Sequence, residues 1–391
     1  MASPTTARVI YEQGEFTVTT KSSHALTPEE LVQQDNQPAS EAVPADVARQ
    51  LATAQPVFSV PGKDGRTAPR LEAAGSDGNA WRLPDGAILG TPGMPLKPLT
   101  VPKKPLAKAA DASTTGHRPE WADLVYHPKR SFEPPWTRQP RLRAGNRAEL
   151  FYGVYGADDR QIYYPSGYPW RCVGRVFVWN DASAANWSWW GSAVLVGPRH
   201  VLTAGHVVPW TSTNWKALFL PGYYDGSSVS GAGAQSWVSN AHGWDVSFLS
   251  RLPNAYDLAV LRINDAVGNS LGWFGTRVYT AGGPIIYYNL TGYPSAVAGG
   301  DRPSYQPGIT VLDTDPNAAA MELEHHGDST GGDSGAPFWA MWSDGIAYAV
   351  GVVSGGANEY EAKEHGYEDN NICAGGQAMI DIVNWARTNW P

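Results

Sequence analysis

Ser334, His206 and Asp257 are the residues of this sequence whose types and settings suit a proton relay. Ser334 lies within Gly332-Asp333-Ser334-Gly335-Ala336-Pro337. Its glycine neighbours need little steric room, so two successive backbone N–H groups can point at one oxygen and hold a developing negative charge. Short strings of this kind also form ordinary turns, so the serine requires a base and an orienting acid from elsewhere. His206 follows the apolar run Val201-Leu202-Thr203-Ala204-Gly205, and a neutral imidazole can take a hydroxyl proton and return it to a leaving group. Asp257 heads the apolar run Leu258-Ala259-Val260-Leu261. A carboxylate there costs free energy unless it is paired, and a histidine N–H is a suitable partner that would be held in one tautomer. The order is His, Asp, Ser with spacings of 51 and 77 residues, so three separate strand ends must converge.

The elements that would position these residues are short strands separated by turn signals, the pattern of an all-β sandwich or barrel. The spacing predicts strands over 173–179, 192–196, 201–204, 217–220, 258–263, 277–280, 285–291, 309–312, 336–341 and 346–353. One helix is expected, over 377–389, where Met379, Ile380, Ile382, Val383 and Trp385 form an apolar stripe. Composition divides the chain near residue 147. Before it lie 18 of the 31 prolines and only 3 of the 17 tryptophans, a weaker claim to a dense core. That part predicts a hairpin around Val9 and Val18, a capped helix beginning at Thr27-Pro28-Glu29-Glu30, and another over 46–54. Pro92, Pro95, Pro98, Pro102 and Pro105 have the spacing of a stiff polyproline II linker. Arg138, Arg141, Arg143 and Arg147 then offer a processing site or a basic linker.

The three motifs and their order resemble the chymotrypsin-like serine endopeptidases, and within them the V8-like, glutamyl-endopeptidase branch. Weaker likeness lies in Gly156-Ala157-Asp158-Asp159-Arg160, Pro221-Gly222-Tyr223 and Thr291-Gly292-Tyr293-Pro294. The resemblance implies two antiparallel six-stranded β-barrels with a C-terminal helix over 148–391, preceded by a Pro-rich extension, residues 1–147, that looks like a pro-region. It implies Ser334 as nucleophile, His206 as base and acid, Asp257 as orienting carboxylate, and Gly332 and Ser334 as the oxyanion hole. Ser354, Gly355 and Gly356 match the segment that pairs with substrate backbone and walls the specificity pocket; Asp328, with Ser329 beside it, occupies the position that in trypsin-like members lies at the base of that pocket and pairs with Lys or Arg, or else belongs to a surface turn after His325-His326. Glutamate-selective members carry histidine where this chain has Val353. Asp333 occupies a position that in animal members binds the amino terminus freed by activation; an internal arginine such as Arg262 or Arg277 is the expected substitute. The half-cystine that follows the catalytic histidine in animal relatives is Val207 here, so Trp187, Trp189 and Trp190 are expected to stabilise the first barrel.

The chain of 391 residues has a net charge of −8, which disfavours nucleic acid and anionic membranes as partners. No apolar run reaches the length of a bilayer helix. The expected partner is a protein or peptide substrate met by a monomer, without cofactor or metal. Glu322, Glu324, His325, His326 and Asp328 contain metal-ligating types, but alternate residues of a strand point to opposite faces, which favours a solvated strand end. Cys172 and Cys373, the two cysteines, offer one long-range disulfide, with two buried thiols as the alternative. Asn186 and Asn289 head two glycosylation sequons, compatible with secretion, although Met1-Ala2-Ser3-Pro4 begins no signal peptide. An α/β-hydrolase is disfavoured because Ala336 stands where its nucleophile elbow requires glycine. A catalytically silent binding module on the same scaffold is the alternative to an enzyme.

Overall fold

The computed structural model describes residues 24–26, 30, 43–52, 72–73, 80–82, 88–90, 96–101, 113–122, 153–231, 233–246, 253–281, 286–361 and 366–391. Residues Val9 to Val18, most of the proline series and the four arginines near the composition boundary lie outside the described residues.

Six strands make the first barrel: β1 (Val173–Trp179), β2 (Trp189–Gly197), β3 (His200–Thr203), β4 (Lys216–Pro221), β5 (Ser236–Gly243) and β6 (Ala259–Ile263). They close in the order β5-β6-β3-β2-β1-β4, with every pairing antiparallel. Closure explains why β1, β3 and β4 are buried along their whole length; one face fills the barrel and the other is covered by neighbours. The strand of this barrel that the sequence pattern does not announce is β5. Its sequence, Ser-Trp-Val-Ser-Asn-Ala-His-Gly, lacks apolar alternation and is defined by the partners on either side.

The other half contains β7 (Gly275–Arg277), β8 (Tyr288–Gly292), β9 (Ser304–Ile309), β10 (Asp313–Asn317), β11 (Ala320–His325), β12 (Pro337–Met341), β13 (Ala347–Glu361) and β14 (Gly366–Gly376). Their hydrogen bonds run in the path β10-β11-β14-β13-β12-β8-β9, extended at its edge by Gln161–Ile162. β7 adds parallel to β13 and takes Ser113–Thr114 as an antiparallel partner. A second apolar core forms here from Tyr288, Leu290, Leu323, Phe338, Val353 and Cys373.

Helix α1 (Ala45–Ala52), α2 (Val267–Leu271) and α3 (Gln377–Asn389) complete the described helices longer than one turn. In α3 the predicted stripe is buried at Met379, Ile380, Ile382 and Val383, whereas Trp385 is 39% exposed. Arg387 Nε donates to Val196 O at 2.6 Å, and the His200 ring bonds Trp390 O at 3.0 Å, tying the chain's end to the first barrel.

The described pieces between residues 24 and 122 dock on this body. Val47 and Leu51, one turn apart on α1, are buried with Leu26, Leu96 and Ala122 in the main core. Leu26 N–H donates to Met341 O, Leu99 N–H to Gly243 O, and His117 pairs with Trp273. Proline richness therefore coexists here with anchoring at separate points.

The two cysteines are not bonded. Cys172 Sγ faces Leu271 O at 3.6 Å, while Cys373 Sγ lies 3.2 Å from His325 Nε2 in the second core. The long-range disulfide reading is corrected accordingly: each thiol is buried in its own packing environment.

Candidate active site

Asp257 follows a single helical turn, Asn254–Tyr256, and precedes β6. It is 1% exposed. Its Oδ1 accepts the His206 backbone N–H at 2.8 Å, and its Oδ2 lies 2.6 Å from His206 Nδ1 and accepts the Ser354 hydroxyl at 2.7 Å. A buried carboxylate with three donors has its desolvation offset. Because the ionised carboxylate only accepts, the proton of a neutral His206 ring sits on Nδ1 and the lone pair on Nε2. Burial pulls the imidazole pKa down, but the charge and hydrogen bond of Asp257 outweigh it, and the net shift is upward.

Local sequence explains the placement. His206 sits in the turn Gly205–Val207 directly after β3. A Cβ on Gly205 would overlap Trp244 O and come within 3.1 Å of Asp257 Oδ1, so only glycine lets the turn approach the carboxylate. Ser354 is the extra residue of a bulge in β13, where the register with β14 shifts between Val353 and Gly355. Such a bulge re-aims one side chain, and here it brings a hydroxyl to Asp257.

The Ser334 turn is held through its carbonyls. Gly331 O accepts Ser295 N–H at 2.7 Å, Gly332 O the Ser192 hydroxyl at 2.8 Å, Asp333 O Ala336 N–H at 2.7 Å and Ser334 O Ser192 N–H at 2.8 Å. In a trans peptide the N–H points opposite the carbonyl. Fixing the Gly331 and Asp333 carbonyls therefore turns the Gly332 and Ser334 N–H groups away from those partners. Gly332 has φ +99° and Gly335 φ +81°, values that favour glycine. A Cβ on Gly335 would overlap the Thr203 hydroxyl, and one on Gly191 would lie 3.0 Å from Ser334 O and 2.8 Å from Val207 Cγ2. The serine turn thus packs on the strand ends that deliver His206, and the Gly191–Val207 contact joins these segments without a disulfide.

Asp333 finds its positive partner in Arg160, not in Arg262 or Arg277. The Arg160 Nη1 to Asp333 Oδ2 distance is 3.0 Å, with side chains 1% and 0% exposed. Arg160 also donates to Thr330 Oγ1 and, through Nε and Nη2, to both oxygens of Asp158. Arg277 instead lies over the rings of Trp342 and Tyr348. Burial pushes the Asp333 carboxyl up to about 6 against the pull of Arg160. The Gly156–Arg160 stretch carried the decisive residue, but no local feature tied it to a position 173 residues away.

Asp328 is fully buried. Its Oδ1 accepts Tyr155 N–H at 2.7 Å, and its Oδ2 accepts Asp159 N–H at 3.3 Å and Gln306 Nε2 at 3.1 Å. Both oxygens face the 153–160 segment, so the expected reading of a basic substrate residue by Asp328 is not what this geometry offers. Burial raises its pKa to about 7. Asn371 and Ser329 N–H hold Gly153 beside it. Residues 153–160 form a strap fastened under the serine turn. Ser329 Oγ is buried with no hydrogen-bond partner among the described residues, and Gly355 and Gly356 follow the Ser354 bulge on β13.

Val353 is fully buried in the second core and pairs with Cys373. The candidate metal ligands have separate tasks. Glu322 accepts Ala255 N–H, Glu324 meets Asn370, and His325 stacks on Phe338 at 4.9 Å while burial lowers its pKa to about 3. His326 stacks on Tyr155. Among the described residues no three His, Cys, Asp or Glu side chains are grouped to hold a metal ion.

No family model matches the sequence. Among curated proteins, an extracellular metalloprotease of Bacillus subtilis is 25% identical over 213 residues, 53% of this chain and 64% of the relative. A glutamyl endopeptidase of Bacillus licheniformis is 26% identical over 195 residues, 49% of this chain and 55% of the relative. The chain resembles the chymotrypsin-like serine endopeptidases of the V8-like branch. It spans less than two thirds of the length of the curated relatives it matches. Among solved structures, a Glu endopeptidase in complex with MPD is 19% identical with a TM-score of 0.46, covering 60% of this chain and 99% of that one. The protease Anisep of Arthrobacter nicotinovorans is 19% identical with a TM-score of 0.43, covering 59% and 100%.

Proposed function

We propose that this protein is a secreted serine endopeptidase. The observation that carries the reading is the His206 Nδ1 to Asp257 Oδ2 contact of 2.6 Å, formed beside the constrained Ser334 turn. His206 Nε2 takes the Ser334 hydroxyl proton as Oγ attacks a peptide carbonyl carbon. Asp257 holds the tautomer and stabilises the imidazolium, and the Gly332 and Ser334 N–H groups receive the oxyanion. His206 then gives its proton to the departing amine, leaving an ester on Ser334. Water activated by His206 hydrolyses that ester and restores the hydroxyl. None of these steps requires a metal, and the scattered partners of Glu322, Glu324, His325 and His326 do not fit one.

Specificity departs from the glutamate-selective pattern. Val353 supplies an apolar side chain to the core, and Asp328 is engaged by the strap, so neither an acidic nor a basic substrate residue has a charged partner at these positions. The docked pieces of residues 24–122 brace the folded protease. Digestion of casein with cut sites mapped by mass spectrometry tests the reading. The expected outcome is cleavage without enrichment after Glu, Arg or Lys; absence of cleavage from acid to alkaline pH would support the silent-module alternative.

A further inference from the structure

Three tryptophans on and before β2 are packed less deeply than those that fill the core. Trp170, Trp179 and Trp215 are 2–3% exposed, as core-filling rings are, whereas Trp187, Trp189 and Trp190 are half-buried. The expectation that this trio stabilises the first barrel does not account for their partial exposure.

Trp190 lies against the serine turn. A Cβ on Gly332 would come 2.7 Å from its Nε1 and 3.2 Å from its Cε2, and Nε1 donates to Tyr293 O at 3.1 Å. Trp189 Nε1 donates to Val207 O at 2.9 Å, next to His206. The pair therefore spans from the residue after the base to the glycine of the oxyanion turn.

A buried cation fixes the arrangement. Arg175 is 2% exposed. Its guanidinium lies 4.4 Å from the Trp190 ring, 4.5 Å from Phe177, 5.2 Å from Tyr223 and 5.9 Å from Trp187. Nη1 donates to Gly300 O at 2.8 Å and Asp301 Oδ1 at 2.9 Å. Gly300 abuts the Trp190 indole from the loop side, and Trp187 meets Trp190 edge-on at 5.1 Å. The charge of Arg175 is used internally by aromatic faces and acceptors, so the partly exposed residues of this cluster, Trp187 and Trp190, present no charge.

We infer that Trp190, positioned by Arg175, is a binding shelf for the leaving-group side of the peptide, and that it selects an apolar or aromatic residue directly after the scissile bond. The inference rests on the serine-endopeptidase reading. During reaction the leaving amine must lie within reach of His206 Nε2 while the carbonyl oxygen faces Gly332 N–H. The departing segment consequently runs off over residues 189–190, where an aromatic ring offers stacking and area burial rather than charge.

Aminolysis of the acyl-enzyme tests this directly. A peptide methyl ester bearing the residue found before the cut sites acylates Ser334: the Oγ–acyl bond forms, the acyl–OCH3 bond breaks, and methanol leaves with the hydroxyl proton passed through His206. An added amino-acid amide then attacks the acyl carbon: the new C–N bond forms, the ester C–Oγ bond breaks, and the amine proton passes through His206 to Oγ. The wild type is expected to transfer to phenylalaninamide about 5- to 10-fold better than to glycinamide. Trp190→Ala should bring this ratio to within about twofold of unity, Trp190→Phe should retain an intermediate preference, and Arg175→Lys should lower it by loosening the cage. An unchanged ratio in Trp190→Ala, or equal loss for both amides, would overturn the shelf; the second result would make Trp190 a brace for the turn alone. Failure of the wild type to acylate at all would instead remove the underlying protease reading and the shelf with it.

Discussion

The first barrel brings His206 and Asp257 together from two adjacent strands, whereas the second half holds the Ser334 turn by contacts with other segments. His206 follows β3 and Asp257 precedes β6, adjacent antiparallel strands of one closed barrel. Once the barrel closes, the imidazole and carboxylate are neighbours. The Ser334 turn instead depends on Ser192 and Ser295, and on Asp333 meeting Arg160 of the 153–160 strap. Barrel walls can place a pair of side chains, while the sharply turned Ser334 loop has to be pinned from outside.

The contrast predicts unequal consequences. Ser334→Ala should abolish peptide cleavage, by a factor on the order of 10⁶ in kcat, with unfolding by urea nearly unchanged. Asp257→Asn should cost about 10⁴-fold in kcat. It should also move the rising limb of the pH–rate profile: His206 is active when deprotonated, and its pKa is raised by Asp257, so activity appears as pH increases through that raised value, and removing the carboxylate's charge shifts that limb to lower pH.

Disturbing the strap should act on the second half first. Arg160→Ala leaves Asp333 buried without its partner and should destabilise by about 3–5 kcal/mol, read by chemical denaturation. Acylation should fall while the hydrogen-bonded His206–Asp257 pair, observed by its downfield proton resonance, persists. Loss of that resonance in a still-folded Arg160→Ala protein would show that the barrel is not independent of the strap.

Asp328→Asn should have the smallest effect on activity and leave the cut-site pattern unchanged, because the side chain faces the strap. Its effect is on stability as a function of pH. A carboxyl raised to about 7 in the folded state favours folding fully below its unfolded pKa, and that contribution is lost as pH rises through the folded value. The difference in Tm between pH 5 and pH 8 should shrink in Asp328→Asn. A new preference for or against basic residues before the cut would contradict the strap role.

These differences also account for what could be read from the chain. The strands carrying His206, Asp257 and Ser334 announce themselves through apolar runs, and α3 spans the residues that its stripe suggested. β5 and β14 do not, since Ser-Trp-Val-Ser-Asn-Ala-His-Gly and Gly-Tyr-Glu-Asp-Asn-Asn-Ile-Cys-Ala-Gly-Gly are polar segments whose strand state comes from the ladders on either side. The Asp257 partner was legible because a buried carboxylate needs a donor and the histidine motif stood nearby in the order. Arg160 was not, because any of several arginines satisfies the same charge requirement and only tertiary packing chooses among them. Asp328 misled for the converse reason: its offset from Ser334 gives a position in the chain but not the direction of the side chain. Nor do cysteine counts distinguish a bridge from two thiols packed in different cores.

The central claim is that Ser334 is a nucleophile activated by the His206–Asp257 pair. It is tested most directly by incubating the full chain with a diaryl organophosphonate and locating the adduct by peptide mass spectrometry. The account predicts a single adduct on Ser334, formed at least about 10³-fold more slowly in His206→Ala and absent in Ser334→Ala. An unlabelled Ser334 under conditions where a competent serine protease reacts to completion, or labelling that His206→Ala does not slow, would contradict it.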